Sequence, residues 1–304
     1  MRILLIVGGW SSEREVSLRG GQGIEKALRA RGHEVTWFDL LEHFDQLSDV
    51  AAQHDFALIN LHGAPGEDGL VQSLLERAGC PYQGSGPTGS FLALNKSAAK
   101  QVFRRAGLQT PQWEFLPQRP AAGWQPRLSY PIFAKSNTGG SSLHLAPAHN
   151  KAELDAILEE IFAAGDAALI ENAICGKEVT CGVLGEEALP PILIEPVAGK
   201  FFDYTSKYAK GGAREICPAP LSPALTARVQ ALAVQAHKAL GLHGYSRADF
   251  ILTDEEELYL LEVNTLPGMT ETSLVPQEAA VVGLSFGELL EKLIALGMQQ
   301  HNKN

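Results

Sequence analysis

Short apolar runs that alternate with helix-periodic stretches and stop at glycines dominate the first third of the chain. Residues 3–7 are apolar and run into Gly8-Gly9, residues 16–31 have helical spacing and stop at Gly32, and residues 34–38 alternate as a strand does. Residues 56–61 form another apolar run that leads into His62-Gly63, and residues 69–78 are helical and stop at Gly79. Strands separated by helices lie parallel, with the helices covering both faces of their sheet. Ligands on such sheets sit beyond the carboxyl ends of the strands. Those ends carry Gly8-Gly9 and the stretch His62-Gly63-Ala64-Pro65-Gly66-Glu67-Asp68-Gly69.

The rest of the chain changes character. Residues 95–105 read as a helix, and the Pro-rich stretch 111–131 as a connector with extended pieces. Residues 131–135, 168–171 and 178–184 read as strands, residues 151–164 and 226–240 as helices, and residues 286–296 as a closing helix. A chain of 304 residues, 45% hydrophobic and 20% charged, suits two or three globular domains. The expected division is an α/β domain over 1–94, then α+β lobes over 95–177 and 178–304.

The formal net charge is −10, with no block of five like charges. This argues against non-specific binding to nucleic acid or an anionic membrane surface, and leaves room for a local phosphate site. The N-terminal apolar run is too short to span a bilayer and lacks a small-residue cleavage site, so it reads as a buried strand and the expected location is cytoplasmic. Cys80, Cys175, Cys181 and Cys217 show no C-x-x-C pairing and read as free thiols. There is no H-E-x-x-H or Walker A loop.

Two apolar runs near the C-terminus, residues 245–253 and 258–264, flank the loop Asp254-Glu255-Glu256-Glu257 and read as a β-hairpin. Pairing Thr253 with Leu258 puts Asp249 opposite Glu262 and Arg247 opposite Asn264. Residues two apart on a strand share a face, so these four form one polar patch. Carboxylates about 5 Å apart repel, and the arrangement calls for a cation. Two carboxylates and an amide carbonyl are hard oxygen ligands suited to Mg²⁺.

Lys135 ends an apolar strand and enters Ser136-Asn137-Thr138-Gly139-Gly140-Ser141-Ser142. Adjacent glycines let backbone N–H groups turn to an anion, and a strand-end lysine adds a point charge for phosphate. A plain hairpin turn fits the same residues. Gly84-Ser85-Gly86-Pro87-Thr88-Gly89 matches G-x-G-x-x-G but lacks a long preceding strand and an acidic residue near twenty positions on. It reads as a turn rather than a dinucleotide site.

Three motifs then appear in one order. Gly8-Gly9-Trp10-Ser11-Ser12-Glu13-Arg14-Glu15-Val16-Ser17-Leu18 resembles the N-terminal signature of the D-alanine–D-alanine ligases, a family of ATP-grasp enzymes. His62-Gly63 with Glu67-Asp68-Gly69 resembles the second signature. Arg247-Ala248-Asp249, with Glu262-Val263-Asn264-Thr265-Leu266-Pro267-Gly268-Met269-Thr270, resembles the third. The similarity covers nearly the whole chain.

The resemblance implies a three-domain ATP-grasp fold, with ATP as co-substrate between two α+β lobes. It implies Lys96 and Lys135 at the phosphates, Glu171, Ala173, Ile174 and Glu178 around adenine and ribose, and Ser142 and Lys207 as further ATP-binding residues. Asp249, Glu262 and Asn264 would hold two Mg²⁺, with Mn²⁺ able to substitute. Glu15 would hold the first D-alanine's ammonium, with His62, Ser141 and Ser273 helping to place substrates. Arg247 and the Gly268 N–H would stabilise developing charge. Asp203-Tyr204-Thr205-Ser206-Lys207-Tyr208 resembles the family's mobile loop, and Tyr208 would meet Glu15 and Ser141 on closure. The implied reaction makes an acyl phosphate of one D-alanine, which the amine of a second attacks, giving a dipeptide for peptidoglycan synthesis. A D-alanine–D-lactate ligase is the near alternative, and a non-catalytic nucleotide-binding module the distant one. Relatives are commonly homodimers, which sets the expected assembly. The phosphate loop departs from the family's commoner form at Ser136 and His144, and Asn95 stands before Lys96 where Asp is usual.

Overall fold

Five successive apolar residues, Ile3 to Val7, are wholly buried in strand β1 (Arg2–Val7), which makes β1 the centre of its sheet. Burial on both faces is the mark of a parallel strand covered by helices. The structure is a computed structural model that describes residues 1–139, 145–196 and 213–302. β2 (Glu34–Asp39) and β3 (Phe56–Ile59) flank β1 in the order β2-β1-β3, all parallel. Between them run α1 (Arg14–Ala30), the short helices α2 (Leu40–His43) and α3 (Leu47–Ala51), and then α4 (Leu70–Ala78). α1 rides close to the sheet because Gly21 faces it: a Cβ there would lie 2.6 Å from Val7 and 3.0 Å from Trp37. This mixed α/β architecture agrees with the expected fold class.

The run Gly84–Gly89, predicted as a turn, opens a helix instead. Gly86 is the N-cap of α5 (Pro87–Leu94), and Pro87 takes the first helical position. Proline's fixed φ and missing N–H suit that position, so the motif is a helix start. α6 (Lys96–Arg105) follows at once, its Asn95 cap accepting from the Ala98 N–H at 3.1 Å.

The Pro-rich connector contains β4 (Trp113–Leu116). With β5 (Ile132–Ser136), β6 (Ala146–Ala148) and β7 (Ala168–Asn172) it builds a sheet ordered β4-β7-β5-β6, and α7 (Lys151–Ala163) packs on it. A second antiparallel sheet holds β8 (Lys177–Leu184), β9 (Glu187–Ala188), β10 (Ile192–Pro196), β11 (Ala213–Ile216), β12 (Tyr245–Leu252) and β13 (Leu258–Asn264). Its order is β11-β10-β8-β12-β13, with β9 on β8. α8 (Pro223–Ala239) covers it, and α9 (Leu274–Val281) and α10 (Phe286–His301) end the chain.

Three apolar cores result, and they do not follow the chain order. The first joins β1, β2 and β3 to Leu289, Leu290, Leu293 and Ile294 of α10. Gly297 lets α10 approach: a Cβ there would lie 2.4 Å from the Tyr82 carbonyl and 2.8 Å from Phe56. The second core joins β8, β12, β13 and α8 to Ala99 and Phe103 of α6. The third lies between α7 and the β4-β7-β5-β6 sheet.

β12 and β13 form the expected hairpin with one difference. Leu252, not Thr253, pairs with Leu258. Thr253 instead donates its N–H to Glu257 O at 2.9 Å, and Glu256 turns the loop at φ 60°. The loop therefore closes one residue earlier than simple alternation predicts. A register shift after Asp249 leaves Leu261 without a ladder partner, and this bulge restores the register. Asp249 still faces Glu262, and Arg247 still faces Asn264.

His237 of α8 fixes the start of this hairpin from behind, its buried Nδ1 lying 2.7 Å from Ser246 Oγ. Burial pushes the imidazole down to about 4 from its ordinary value near 6.5. The unfolded chain therefore takes up a proton before the folded one. The full contribution is present above pH 6.5 and is lost as pH falls toward 4, at about 1.4 kcal/mol per pH unit. Denaturant melts of wild type and His237→Gln across this window are expected to converge as pH falls. Parallel curves would rule out this buried neutral imidazole.

Candidate functional site

The patch predicted from the hairpin exists and spans three strands. β12 lies between β13 and β8, so Asp249 has Glu262 on one side and Thr180 on the other, and Arg247 has Asn264 and Gly182. Asp249 is buried and accepts four hydrogen bonds on its two oxygens. They come from Arg247 Nε at 2.8 Å and Nη2 at 2.7 Å, Thr180 Oγ1 at 2.6 Å and Asn264 Nδ2 at 3.0 Å. Burial works against the Arg247 cation, but Asp249 beside it holds the guanidinium protonated, above its ordinary range.

The cation that the sequence argument calls for does not have to be added from outside. The chain supplies its own: Arg247 pairs with Asp249 in a two-pronged contact, and Lys96 Nζ lies 3.6 Å from Glu262 Oε2. Such buried pairs hold only when geometry and hydrogen bonds are complete, as they are at Asp249.

Lys96 reaches Glu262 because Asn95 and Asn137 tie the start of α6 to the end of β5. Asn137 Nδ2 donates to Asn95 Oδ1 at 2.9 Å, Ser97 N–H donates to Asn137 Oδ1 at 2.9 Å, and Lys96 N–H donates to Asn137 O at 3.0 Å. Lys96 Nζ donates to Gly139 O at 2.6 Å. Asn95 is thus one of an interlocked pair of asparagines, and Ser136 directly precedes the other.

These residues frame a cleft lined by Glu67, Lys96, Gly139, Glu262, Asn264 and Thr265, among others. Glu262 is partly exposed in it, and Asn264, whose amide nitrogen serves Asp249, keeps its carbonyl oxygen as an acceptor. The donor set therefore fits a hard divalent ion at Glu262 and Asn264. Asp249 would join by exchanging one of its present hydrogen bonds.

Lys135 and Glu171 meet next to this cleft, Nζ to Oε1 at 2.6 Å, both buried. Ala173 and Ile174 lie half-buried between β7 and β8, and Glu178 is half-buried on β8 opposite Ile251. Gly268 and Ser273 also come together: a Cβ on Gly268 would lie 3.1 Å from Ser273 Oγ, which accepts from the Thr270 N–H at 3.0 Å. His62 is half-buried in the loop after β3. Ser141, Ser142, Lys207 and Tyr208 lie outside the described residues.

Glu15 is not brought to the site. It is exposed in the first turn of α1, whereas Glu13, the residue before that helix, is buried. Glu13 acts electrostatically on Glu67, whose carboxyl is pushed up to about 7, mainly by burial. Their loops meet over the sheet end, where a Cβ on Gly9 would lie 3.4 Å from Leu61 and 3.6 Å from Pro65. Glu67 Oε2 accepts from the Gly63 N–H at 2.7 Å.

Sequence reasoning also misses Thr180 and Glu278. Glu278 is fully buried and accepts the Gly182 N–H on both oxygens, at 2.9 and 3.0 Å, behind Arg247. Burial pushes its carboxyl up to about 8. Glu278 sits on the otherwise uncharged helix α9, and a lone acid there is its only signal. Among the described residues, no three of His, Cys, Asp and Glu gather as a metal cluster, and no helix is long and apolar enough to cross a membrane.

Known proteins match this chain along its length. The family profile described as D-ala D-ala ligase C-terminus matches residues 101–295. A D-alanine–D-alanine ligase of Desulfovibrio desulfuricans is 66% identical over 303 residues, covering 100% of this chain and 99% of the relative. That of Lawsonia intracellularis is 58% identical, covering 100% of both. Among solved structures, the D-alanine–D-alanine ligase of Bacillus anthracis complexed with ATP superposes with a TM-score of 0.89 at 34% identity, over 100% of this chain and 99% of the other. The D-Ala:D-Ser ligase of Enterococcus faecalis gives a TM-score of 0.81 at 29% identity, over 97% and 99%. By its sequence and by its fold, this chain belongs to the D-alanine–D-alanine ligase family.

Proposed function

We propose that this chain uses ATP to join two D-alanines through an acyl phosphate, a carbon–nitrogen ligation that feeds peptidoglycan synthesis. The observation that carries the proposal is the Arg247–Asp249–Glu262–Asn264 patch, set in register on β12 and β13 beside Lys96 and Lys135. Phosphoryl transfer is mainly positioning and charge stabilisation. Lys96 and Lys135 supply cations for the ATP phosphates, and the loop after β5 supplies backbone. Glu171, Ala173, Ile174 and Glu178 form the base and sugar side. Glu262 and Asn264, with Asp249, would hold Mg²⁺, which would supply positive charge against the phosphates. Residues 1–94 bring the substrate-side loops to the cleft, and the two lobes that follow hold the nucleotide.

After transfer, the amine of the second D-alanine attacks the acyl carbon and an oxyanion forms. Arg247 is a cation that stays charged at any working pH, and the Gly268 N–H is a neutral donor in the loop after β13. Preorganised donors of this kind contribute most when water is excluded. Ser273 braces the Gly268 loop through Thr270. We assign the first ammonium to Glu13 rather than Glu15, because Glu13 is buried beside Glu67 and Glu15 faces outward. Ser141, Ser142, Lys207 and Tyr208 keep the roles implied by resemblance. The assembly proposed is a homodimer and the compartment the cytoplasm.

Three outcomes test this reading. Glu262→Ala is expected to lower D-alanine-dependent phosphate release on the order of 100-fold or more, with circular dichroism unchanged. Near-normal turnover would remove Glu262 from the metal site. Product analysis with ATP is expected to give dipeptide from D-alanine alone, while a product formed only when D-lactate or D-serine is added would reassign the second substrate. Glu13→Gln is expected to raise the KM for D-alanine about tenfold or more, and Glu15→Gln to leave it within about twofold of wild type. The reverse pattern would restore Glu15.

A further inference from the structure

α6 carries a second lysine, Lys100, one turn after Lys96 and on the same face. Its side chain is wholly buried. Lys100 Nζ donates to Thr110 Oγ1 at 2.6 Å and lies 2.9 Å from Glu171 Oε2 and 5.7 Å from the centre of the Trp113 ring. The other oxygen of the same carboxylate holds Lys135 at 2.6 Å. Two ammonium groups therefore share one buried carboxylate, at the end of the strand that enters the glycine-rich loop.

A core ion pair needs one cation for one anion. Here the count leaves a net positive charge in a site closed to water, and an unbalanced buried charge is costly. Two further observations show that the third charge is not simply absorbed. Lys100 Nζ divides its three N–H groups between Thr110 Oγ1 at 2.6 Å and Glu171 Oε2 at 2.9 Å, so Glu171 is not its sole partner. Burial also pulls the Lys100 ammonium down to about 8, although Glu171 pulls it the other way. Lys135 stays protonated despite its burial because Glu171 and Glu262 both act on it. Counting Lys96 and Glu262 changes nothing, since that pair cancels.

We propose that Lys100 is a positioning residue for the nucleotide: by sharing Glu171 it keeps that carboxylate from neutralising Lys135, so that the end of β5 holds a spare positive charge for a polyphosphate. The inference rests on the ATP-binding reading above. Lys100 does not touch the phosphates in this account. It acts through Glu171, which it draws to one side, and through Lys135, which it leaves charged towards the cleft. Because Lys96 and Lys100 sit on one helix, α6 sets the spacing between the Glu262 and Glu171 sites.

The test is a double-mutant cycle on the full chain, with MgATP affinity read by calorimetry. Lys100→Gln keeps a donor for Thr110 and removes the charge. It is expected to weaken MgATP binding about tenfold and to raise the KM for ATP, with the KM for D-alanine unchanged. In a Lys135→Gln background the same change is expected to have little further effect, because the residue it acts through is gone. Equal MgATP affinity in Lys100→Gln and wild type, or an equal loss in both backgrounds, overturns the proposal and leaves Lys100 a structural ion pair. Lys100→Met is run alongside as the variant that keeps the apolar stem, and loss of folding in both variants overturns it too. If wild type itself binds no MgATP, the ATP reading of the site fails instead.

Discussion

Two carboxylates facing each other across β12 and β13 repel, and much of the surrounding structure answers that repulsion. Asp249 is buried and so needs its charge matched within the protein; Arg247, two residues away on the same strand face, does this with two parallel hydrogen bonds. Glu262 is more open and has Lys96 at 3.6 Å. The site is thus stable before any ion or nucleotide arrives. A divalent ion held there would compete with cations of the chain rather than fill a purely negative hole.

Matching of this kind depends on register, and the hairpin shows how register was legible for partly wrong reasons. Alternation alone puts Thr253 opposite Leu258. The loop in fact closes one residue earlier at Glu256, and the bulge at Leu261 adds the residue back. The two departures cancel, so the four polar residues align as the pattern predicts. The parallel β2-β1-β3 sheet was legible for a sounder reason, because five consecutive buried apolar residues admit few other placements.

What the sequence hid was mostly non-local. Thr180 and Gly182 join the patch only because β8 pairs with β12, and nothing within either strand announces that pairing. α6 belongs to the core of the last sheet although it opens the central stretch of the chain. The choice between Glu13 and Glu15 was local and could have been made. Glu13 falls in phase with Ser17, Gly20, Gly21, Ile24 and Leu28, all buried in α1, and Glu15 falls between them. Helical phase, read back across the N-terminal boundary, points to the inward acid.

The same phase argument explains why α6 matters beyond its own core. Lys96, Ala99, Lys100 and Phe103 are its buried positions, so one face mixes apolar packing with two ammonium groups. A helix rises about 5.4 Å per turn, and the two lysines use that rise to reach carboxylates on different sheets: Glu262 on β13 and Glu171 on β7. The apolar members fix where the helix lies, and the charged members then fix which acids remain available to other partners. A chain with a net charge of −10 attracts no polyphosphate by its overall field. Whatever attraction exists has to be made locally, by placing more buried lysines than acids around one loop, and α6 with β5 is where the structure does so.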